Sequence, residues 1–147
     1  TILDYNTKLL NDKYQHKKVS IIATALTIRS EAYLYKTNDT DIQFVNGSYL
    51  TKLIEEDNID KIEKEIKALI KQCSKESEAV LLGCTHYTLY KNEFIAQSFR
   101  THFIEASKEL IYSLPLDKFT SSKSLHILLT DDNPKYINLI NKFIKVN

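Results

Sequence analysis

The chain has 147 residues, which is the size of one ordinary domain with a single buried core. Its 20 lysines and arginines nearly balance 19 aspartates and glutamates, and the two signs are interleaved, which excludes the basic face of a nucleic-acid-binding protein. No apolar run approaches the roughly 18 residues of a membrane-spanning helix, so we expect a cytoplasmic protein that engages neither membrane nor nucleic acid.

Cysteine and methionine usage adds two expectations. Cys73 and Cys84 are too few for a disulfide framework and lack the C-x-x-C spacing of metal sites, so we expect reduced thiols and no bound metal. The chain contains no methionine and begins with Thr1. We therefore expect it to be a processed or excised piece of a longer product.

The first part of the chain predicts alternating helices and strands. Residues 1–18 are either a helix or a connector, because their helical pattern is weak. Residues 19–24 form a short β-rich run, and residues 27–35 look helical. Residues 41–47 predict a second strand that ends in an Asn-Gly turn.

The segment 50–73 is the surest helical region, with a break near Asp57 and Asn58. Its apolar side chains recur at helical spacing opposite lysines and glutamates: Ile59, Ile62, Ile66, Leu69, Ile70 and Cys73. Because Cys73 lies on this apolar stripe, we expect it to be a core thiol.

The rest of the chain continues the alternation. Residues 79–82 predict a buried strand and residues 87–99 a helix. Beyond them the pattern predicts strands over 101–105 and 125–130, helices over 108–114 and 134–145, and a loop over 118–124. Alternation of this kind indicates a single α/β unit over 1–147, with a mainly parallel sheet flanked by helices on both faces.

Small and polar residues follow three of the predicted strands. They are Thr24 with Thr27, then Asn46-Gly47-Ser48, then Gly83-Cys84-Thr85-His86. Because the carboxyl ends of parallel strands meet at one edge of a sheet, we expect one crevice lined by all three groups. Hydroxyls, turn amides, one thiol and one imidazole suit a small anionic ligand such as a carboxylate.

Cys84 lies on a predicted strand-to-helix turn. The N–H groups at the start of a helix favour an anion above the strand end and lower the pKa of a nearby thiol. Cysteine is often simply buried, but Gly-Cys-Thr-His at a strand end favours a reactive thiol. Thr24 and Thr27 are equally well explained as strand-end and helix-capping residues. His16, His102 and His126 have no predicted partners and are expected to be solvated or packed.

Residues 82–87, Leu-Gly-Cys-Thr-His-Tyr, resemble the L-G-C-T-H-Y signature of the cofactor-independent glutamate racemases, within the aspartate/glutamate racemase family. Residues 23–33 resemble the family's G-T-x-x-T-I-x-S-x-A-Y segment, and residues 53–55 fit the L-V/I-E that lies between the two. Residues 130–132 stand where the family's last strand gives way to its last helix. The resemblance covers nearly the whole chain.

The resemblance implies a reaction that interconverts L- and D-glutamate for peptidoglycan synthesis, without metal or pyridoxal phosphate. In this family two cysteines, one on each side of the substrate α-carbon, act in turn as base and acid. Cys84 matches the second of them, and His86 is implied to assist it. Thr85, His86, Thr24 and Thr27 are the implied substrate contacts.

Two segments of the family pattern do not occur in the sequence: an Asp-Ser-Gly turn and a Cys-Asn-Thr segment that carries the opposite cysteine. The chain therefore resembles the carboxyl-terminal half of a two-lobed racemase, with 19–147 as a racemase-like lobe and its return segment. Cys73 does not replace the missing cysteine, because it lies on a helix stripe. An amino-terminal half or a second chain, as in a homodimer, is expected to complete the crevice.

Other residues also depart from the family pattern, and two alternatives stay open. Gly47-Ser48 replaces a usual Cys-Pro, Thr88 replaces a proline, and Asp131 replaces a glycine. One alternative is a racemase-derived module that binds glutamate or regulates without turnover. The other is a related enzyme of the aspartate racemase type, although the His-Tyr that follows Cys-Thr favours glutamate.

Overall fold

The computed structural model describes residues 1–98, 100–105, 107, 110–111 and 134–143. The strands coincide with the short apolar runs and are β1 (Lys18–Ala23), β2 (Asp41–Asn46), β3 (Ala79–Leu82) and β4 (Phe103–Ile104). The helices are α1 (Ile2–Lys13), α2 (Ala25–Arg29), α3 (Ala32–Lys36), α4 (Ser48–Glu55), α5 (Ile59–Gln72), α6 (Thr85–Thr88), α7 (Lys91–Gln97) and α8 (Pro134–Phe143).

The four strands form one sheet in the order β2-β1-β3-β4, and every neighbouring pair is parallel. Val19 pairs with Ile42 on one side and with Ala79 on the other, and Val80 pairs with Phe103. The predicted parallel α/β fold is therefore confirmed. The strand predicted over 125–130 and the loop over 118–124 lie outside the described residues.

Helices cover both faces of the sheet because side chains alternate along each strand. Ile22 and Leu82 point into one apolar cluster, which they share with α4, α5, α6 and α7. Ile21 and Leu81 point into the other, which they share with α1 and α3. The two central strands are thus buried on both sides, as parallel strands usually are.

The weak pattern at the start of the chain is a helix rather than a connector. Thr1 and Asp4 form a capping box, in which the Thr1 hydroxyl accepts from the Asp4 N–H and the Asp4 carboxylate accepts from the N-terminus. The long helical region also divides as predicted, into α4 and α5. Asp57 takes a left-handed conformation at the break, with φ 51°.

Two segments that were each predicted as one helix are divided into two shorter helices. The segment 27–35 divides into α2 and α3 because Glu31 is left-handed, with φ 52°, and the Ser30 hydroxyl donates to the Thr27 carbonyl at 2.7 Å. The segment 87–99 divides into α6 and α7. Here the Thr88 hydroxyl donates to the Thr85 carbonyl at 2.7 Å, and a tight turn follows.

The remaining predicted strand and helix are described over fewer residues than predicted. The strand predicted over 101–105 is only Phe103–Ile104, and the helix predicted over 134–145 is described as Pro134–Phe143. Residues 110 and 111 are helical, and most of the helix predicted over 108–114 lies outside the described residues. None of the described helices has the length and apolar composition needed to cross a membrane.

Candidate functional site

Three loops meet at the carboxyl edge of the sheet and are tied together by backbone hydrogen bonds. The Gly83 N–H donates to the Ile22 carbonyl, and the Gly47 N–H donates to the Ala23 carbonyl, both at 2.8 Å. The Ser48 hydroxyl accepts from the Ala25 N–H, also at 2.8 Å. The structure therefore brings the three polar strand ends together at one edge.

Cys84, His86 and Glu55 form a chain of side-chain contacts at this edge. The Sγ of Cys84 lies 3.6 Å from Nδ1 of His86, which is hydrogen-bonding distance for sulfur. The opposite ring nitrogen, Nε2 of His86, lies 3.3 Å from Oε1 of Glu55. All three side chains are partly buried, so the chain of contacts remains open to solvent at the edge.

Electrostatics at these contacts favour an ionised thiol. Burial by itself raises the pKa of Cys84, but hydrogen bonds from the His86 ring and backbone N–H outweigh it, and the net shift is downward. The pKa of His86 moves upward, first because of its bond to Cys84 and then because of Glu55, against a smaller effect of burial. Cys84 and His86 thus stabilise one another as thiolate and imidazolium.

The backbone contribution to the Cys84 pKa comes from one N–H group at the start of α6. Cys84 does cap a helix, with the extended backbone of an N-cap residue, but α6 has only four residues. A helix this short has little macrodipole. The N–H of His86 is the backbone group that lowers the pKa of Cys84, and it acts together with the His86 ring.

Thr51 and Tyr87 form the floor of the site. The Thr51 and Tyr87 hydroxyl oxygens lie 3.3 Å apart, and a hydrogen bond between Thr51 and Cys84 lowers the pKa of the thiol. Tyr87 is fully buried. A Cβ at Gly47 would lie 2.6 Å from the Tyr87 hydroxyl, so only glycine fits beside it in this arrangement.

Thr51 and Glu55 were given no role in the sequence analysis. Glu55 belongs to the Leu-Ile-Glu segment that resembles the family pattern, but that segment does not indicate what the Glu55 side chain contacts. Both residues lie on α4, four positions apart, and residues at that spacing share a helix face. That spacing places them on one face of α4, but nothing in the sequence indicates that this face meets the site.

The predicted threonines divide into two groups. Thr85 is exposed and lines a small recess together with Cys84. Thr24 caps α2, and its hydroxyl lies 3.1 Å from the Thr27 hydroxyl and accepts from the Thr27 N–H at 3.4 Å. The capping interpretation therefore holds for Thr24, and a substrate contact by either hydroxyl stays a prediction.

The structure describes two of the three other histidines. His16 and His102 are exposed, whereas His126 lies outside the described residues. Across the part of the chain that the structure describes, no group of three or more His, Cys, Asp or Glu side chains is arranged to hold a metal ion.

Comparison with known proteins gives a consistent set of relatives. No protein-family model matches the chain. The glutamate racemase of Aquifex pyrophilus is 27% identical over 144 residues, which cover 95% of this chain and 57% of the relative. That of Lactobacillus helveticus is 37% identical over 90 residues, which cover 55% of this chain and 33% of the relative.

Solved structures agree with the curated relatives. The Aquifex pyrophilus glutamate racemase superposes with a TM-score of 0.64 at 27% identity, over 97% of this chain and 58% of its own. The Francisella tularensis glutamate racemase, solved in complex with D-glutamate, gives a TM-score of 0.63 at 23% identity, over 79% of this chain and 46% of its own. At that identity the second likeness concerns the fold alone.

The parallel sheet with its flanking helices is thus the fold of a racemase domain. More specifically, the chain resembles a part of the glutamate racemases. It spans about half the length of the curated relatives that match it over most of its own length.

Proposed function

We propose that the chain is one half of a cofactor-independent glutamate racemase and supplies one of its two catalytic cysteines, Cys84. The observation that carries the proposal is the Cys84–His86–Glu55 chain of contacts at the carboxyl edge of the sheet. The proposal is supported by relatives that are glutamate racemases, one of which was solved with D-glutamate.

Cys84 removes or returns the α-proton on one face of the substrate. As a base, the thiolate takes the proton: the Cα–H bond breaks, an S–H bond forms, and the electron pair stays on the α-carbon. A thiolate is needed because an ordinary thiol, with a pKa of about 8.5, is only a few per cent ionised at neutral pH. The imidazolium of His86 holds the sulfur in its ionised form until the sulfur takes the α-proton.

Inversion needs a second acid on the opposite face of the α-carbon. Cys73 does not serve, because its sulfur donates to the Leu69 carbonyl at 3.5 Å, away from the sheet edge. We assign the second acid to an amino-terminal half or to another chain, for which a homodimer is one arrangement. Residues 19–147 form the lobe that this partner would complete.

Substrate binding falls to the polar groups of the same edge. Thr85 and His86, beside Cys84, contact the carboxylate or amine of glutamate, and Thr24 with Thr27 add hydroxyl contacts from the neighbouring strand end. Fixing the α-carbon beside the sulfur supplies much of the rate enhancement. The reaction takes place in the cytoplasm and supplies D-glutamate for peptidoglycan.

Proton exchange at the α-carbon tests the proposal directly. The protein, expressed from its complete reading frame, is incubated in deuterium oxide with L- or D-glutamate, and loss of the α-proton is followed by proton NMR. We expect exchange of one of the two enantiomers, the one whose α-proton faces Cys84, to be abolished by Cys84→Ala and retained by the matched control Cys73→Ala. Equal exchange in the Cys84 variant and the unchanged protein excludes the role of Cys84.

The same experiment separates the alternatives. Binding of glutamate without exchange in the unchanged protein assigns the non-catalytic module. Exchange of aspartate in preference to glutamate assigns an enzyme of the aspartate racemase type.

A further inference from the structure

The Thr51 hydroxyl has two hydrogen-bond partners at the floor of the site. Its Oγ1 lies 3.3 Å from the Tyr87 hydroxyl oxygen, and it also forms a hydrogen bond with Cys84. Tyr87 lies on α6, and Cys84 is the residue that caps this helix. The packing of α4 against α6 therefore places one hydroxyl beside two acceptors from the same short helix.

The two partners compete for a single proton. A threonine hydroxyl carries one proton, so Thr51 donates to only one acceptor at a time. A hydrogen bond to a charged acceptor is stronger than one to a neutral acceptor, so the Thr51 O–H points to Cys84 while the sulfur is a thiolate. A protonated sulfur is only a weak acceptor, and the Tyr87 oxygen is then the better partner.

Tyr87 has the properties of a fixed, neutral acceptor. Its side chain is completely buried, and burial raises its pKa against a smaller opposing effect of the Thr51 bond. The charge of Cys84 raises the pKa of Tyr87 further. Tyr87 therefore keeps its proton at neutral pH, and its oxygen remains an uncharged partner for Thr51.

Gly47 leaves the space in which the Tyr87 hydroxyl lies. A Cβ at Gly47 would be 2.6 Å from the hydroxyl oxygen and 3.0 Å from the ring carbon that carries it. Gly47 caps α4, and Thr51 lies one turn further along the same helix. The start of α4 thus supplies both the room for the Tyr87 hydroxyl and the hydroxyl group that it meets.

We propose that Thr51 is a positioning residue for Cys84, whose hydroxyl donates to the ionised sulfur and turns to the Tyr87 oxygen when the sulfur is protonated. Thr51 keeps its own proton throughout, and only the direction of its O–H bond changes. The sulfur thus has a donor on α4 besides His86, and this donor turns away as the sulfur takes the α-proton. The inference rests on the proposed function, because that reaction makes Cys84 alternate between the two forms.

Thr51 adds no charge to the groups that act on the sulfur and on Tyr87. Removal of its hydroxyl therefore changes the ionisation of Cys84 through a lost hydrogen bond and not through a lost charge. The titratable groups come from four helices: His86 and Tyr87 on α6, Glu55 on α4, Tyr33 on α3, and Glu65 on α5, which acts on Tyr87.

The pH profile of Cys84 alkylation by iodoacetamide tests the proposal in the protein expressed from its complete reading frame. Thr51→Val removes the hydroxyl and keeps the branched shape of the side chain. We expect the midpoint of the profile to move upward by about half a pH unit to one pH unit. Thr51→Ser restores the hydroxyl and should return most of this shift. A midpoint that Val does not move, or that Ser does not restore, overturns the proposal.

Thr40→Val is the matched control. Thr40 is also partly buried, but its hydroxyl donates to the Tyr14 carbonyl at 3.2 Å, where the chain enters β2 at the opposite edge of the sheet. This variant should leave the Cys84 profile unchanged, and an equal shift in both valine variants contradicts a specific role for Thr51. Labelling of Cys73 in each variant reports any loss of the fold.

Tyr87→Phe tests the change of direction and keeps the shape of the buried ring. It removes the alternative partner of Thr51 in the thiol form, so the Cys84 midpoint should fall or stay in place. An upward shift would mean that Tyr87 donates to Thr51 and supports the thiolate through it, which overturns the proposal.

Kinetics separate a positioning role from a substrate contact. Thr51→Val should lower kcat for α-proton exchange several-fold and leave KM for glutamate unchanged, since Thr51 acts on the sulfur. A higher KM with unchanged kcat overturns the proposal. If exchange requires Cys84 but Thr51→Val leaves the alkylation profile unchanged, the racemase function stands and the Thr51 inference falls. If exchange does not require Cys84, the proposed function fails, and the alkylation profiles still decide the role of Thr51.

Discussion

The two cysteines of the chain lie eleven positions apart and behave in opposite ways. Both are partly buried and pack against the same apolar cluster. Cys73 caps the end of α5, and burial raises its pKa to about 11 against a weaker opposing bond with Ser20. Cys84 follows β3 and is also penalised by burial, yet its pKa is lowered by His86.

The comparison shows that depth in the protein does not decide whether a thiol is reactive. What differs is the neighbour that each sulfur meets. At the end of α5 the Cys73 sulfur donates to the Leu69 carbonyl, and its hydrogen bond with Ser20 lowers the pKa too little to offset burial. At the carboxyl edge of the sheet the Cys84 sulfur finds an imidazole and an N–H group, which stabilise the anion.

Replacement of each sulfur by oxygen should give the largest difference between the two cysteines, measured as the rate of α-proton exchange. Cys84→Ser keeps the shape of the side chain but removes a group that ionises near neutral pH. We expect α-proton exchange of glutamate to fall by about 10²- to 10⁴-fold, the usual range for loss of a general base. Cys73→Ser should retain the rate of the unchanged protein. A comparable loss in both variants would mean that exchange depends on stability and not on the Cys84 sulfur.

Alkylation should separate the two thiols without any substrate. At pH 7 a pKa of about 11 leaves roughly one Cys73 thiolate in 10⁴, whereas the pKa of Cys84 is lowered by His86, so a much larger fraction of Cys84 is ionised. The more basic thiolate is the better nucleophile, which reduces the advantage to about tenfold or more. Mass spectrometry of the protein after brief iodoacetamide treatment measures the ratio of the two labelling rates. Faster labelling of Cys73 than of Cys84 would contradict the difference in pKa.

Removing the His86 imidazole should make the alkylation of Cys84 resemble that of Cys73. In His86→Gln the burial that raises the Cys84 pKa remains, while the charged partner that lowers it is gone. The alkylation profile of Cys84 should therefore move to higher pH, and its rate at pH 7 should fall several-fold. The profile of Cys73 should not move, because His86 is not among the groups that shift its pKa. An unchanged Cys84 profile would leave the backbone N–H as the sufficient cause.

The sequence predicted the parts of this comparison that depend on local pattern. The apolar run of β3, the break between α4 and α5 and the position of Cys73 on an apolar stripe follow from periodicity within a few turns of chain. The break between α6 and α7 could not be predicted, because it depends on the Thr88 hydroxyl, which donates to a backbone carbonyl. Ile59, which shares the stripe in sequence, is 59% exposed because it begins α5 at the open end.

The residues of α4 that support the Cys84–His86 pair could not be predicted for a different reason. Glu55 and Thr51 reach the site because α4 packs beside α6, and that packing joins segments some thirty residues apart. No local spacing encodes such a contact.

Replacement of Glu55 should have the smallest effect of these changes. Its carboxylate is one of the groups that raise the pKa of His86, after the larger contribution of Cys84. Glu55→Gln should lower the His86 pKa, so less imidazolium is present at neutral pH and the Cys84 thiolate is slightly less stable. Because the pair is partly exposed, with side chains 37% and 39% accessible, we expect alkylation of Cys84 to slow by no more than about fivefold.

Glu56→Gln is the matched control for this change, since Glu56 is the next residue and pairs instead with Lys52 at 3.8 Å. Titration of the His86 ring by NMR should show a downward shift of its pKa in Glu55→Gln and none in Glu56→Gln. Equal shifts in the two variants would indicate a general effect of surface charge. A shift confined to Glu55→Gln ties the acidity of Cys84 to a specific carboxylate on α4, a link that Cys73 lacks among the described residues.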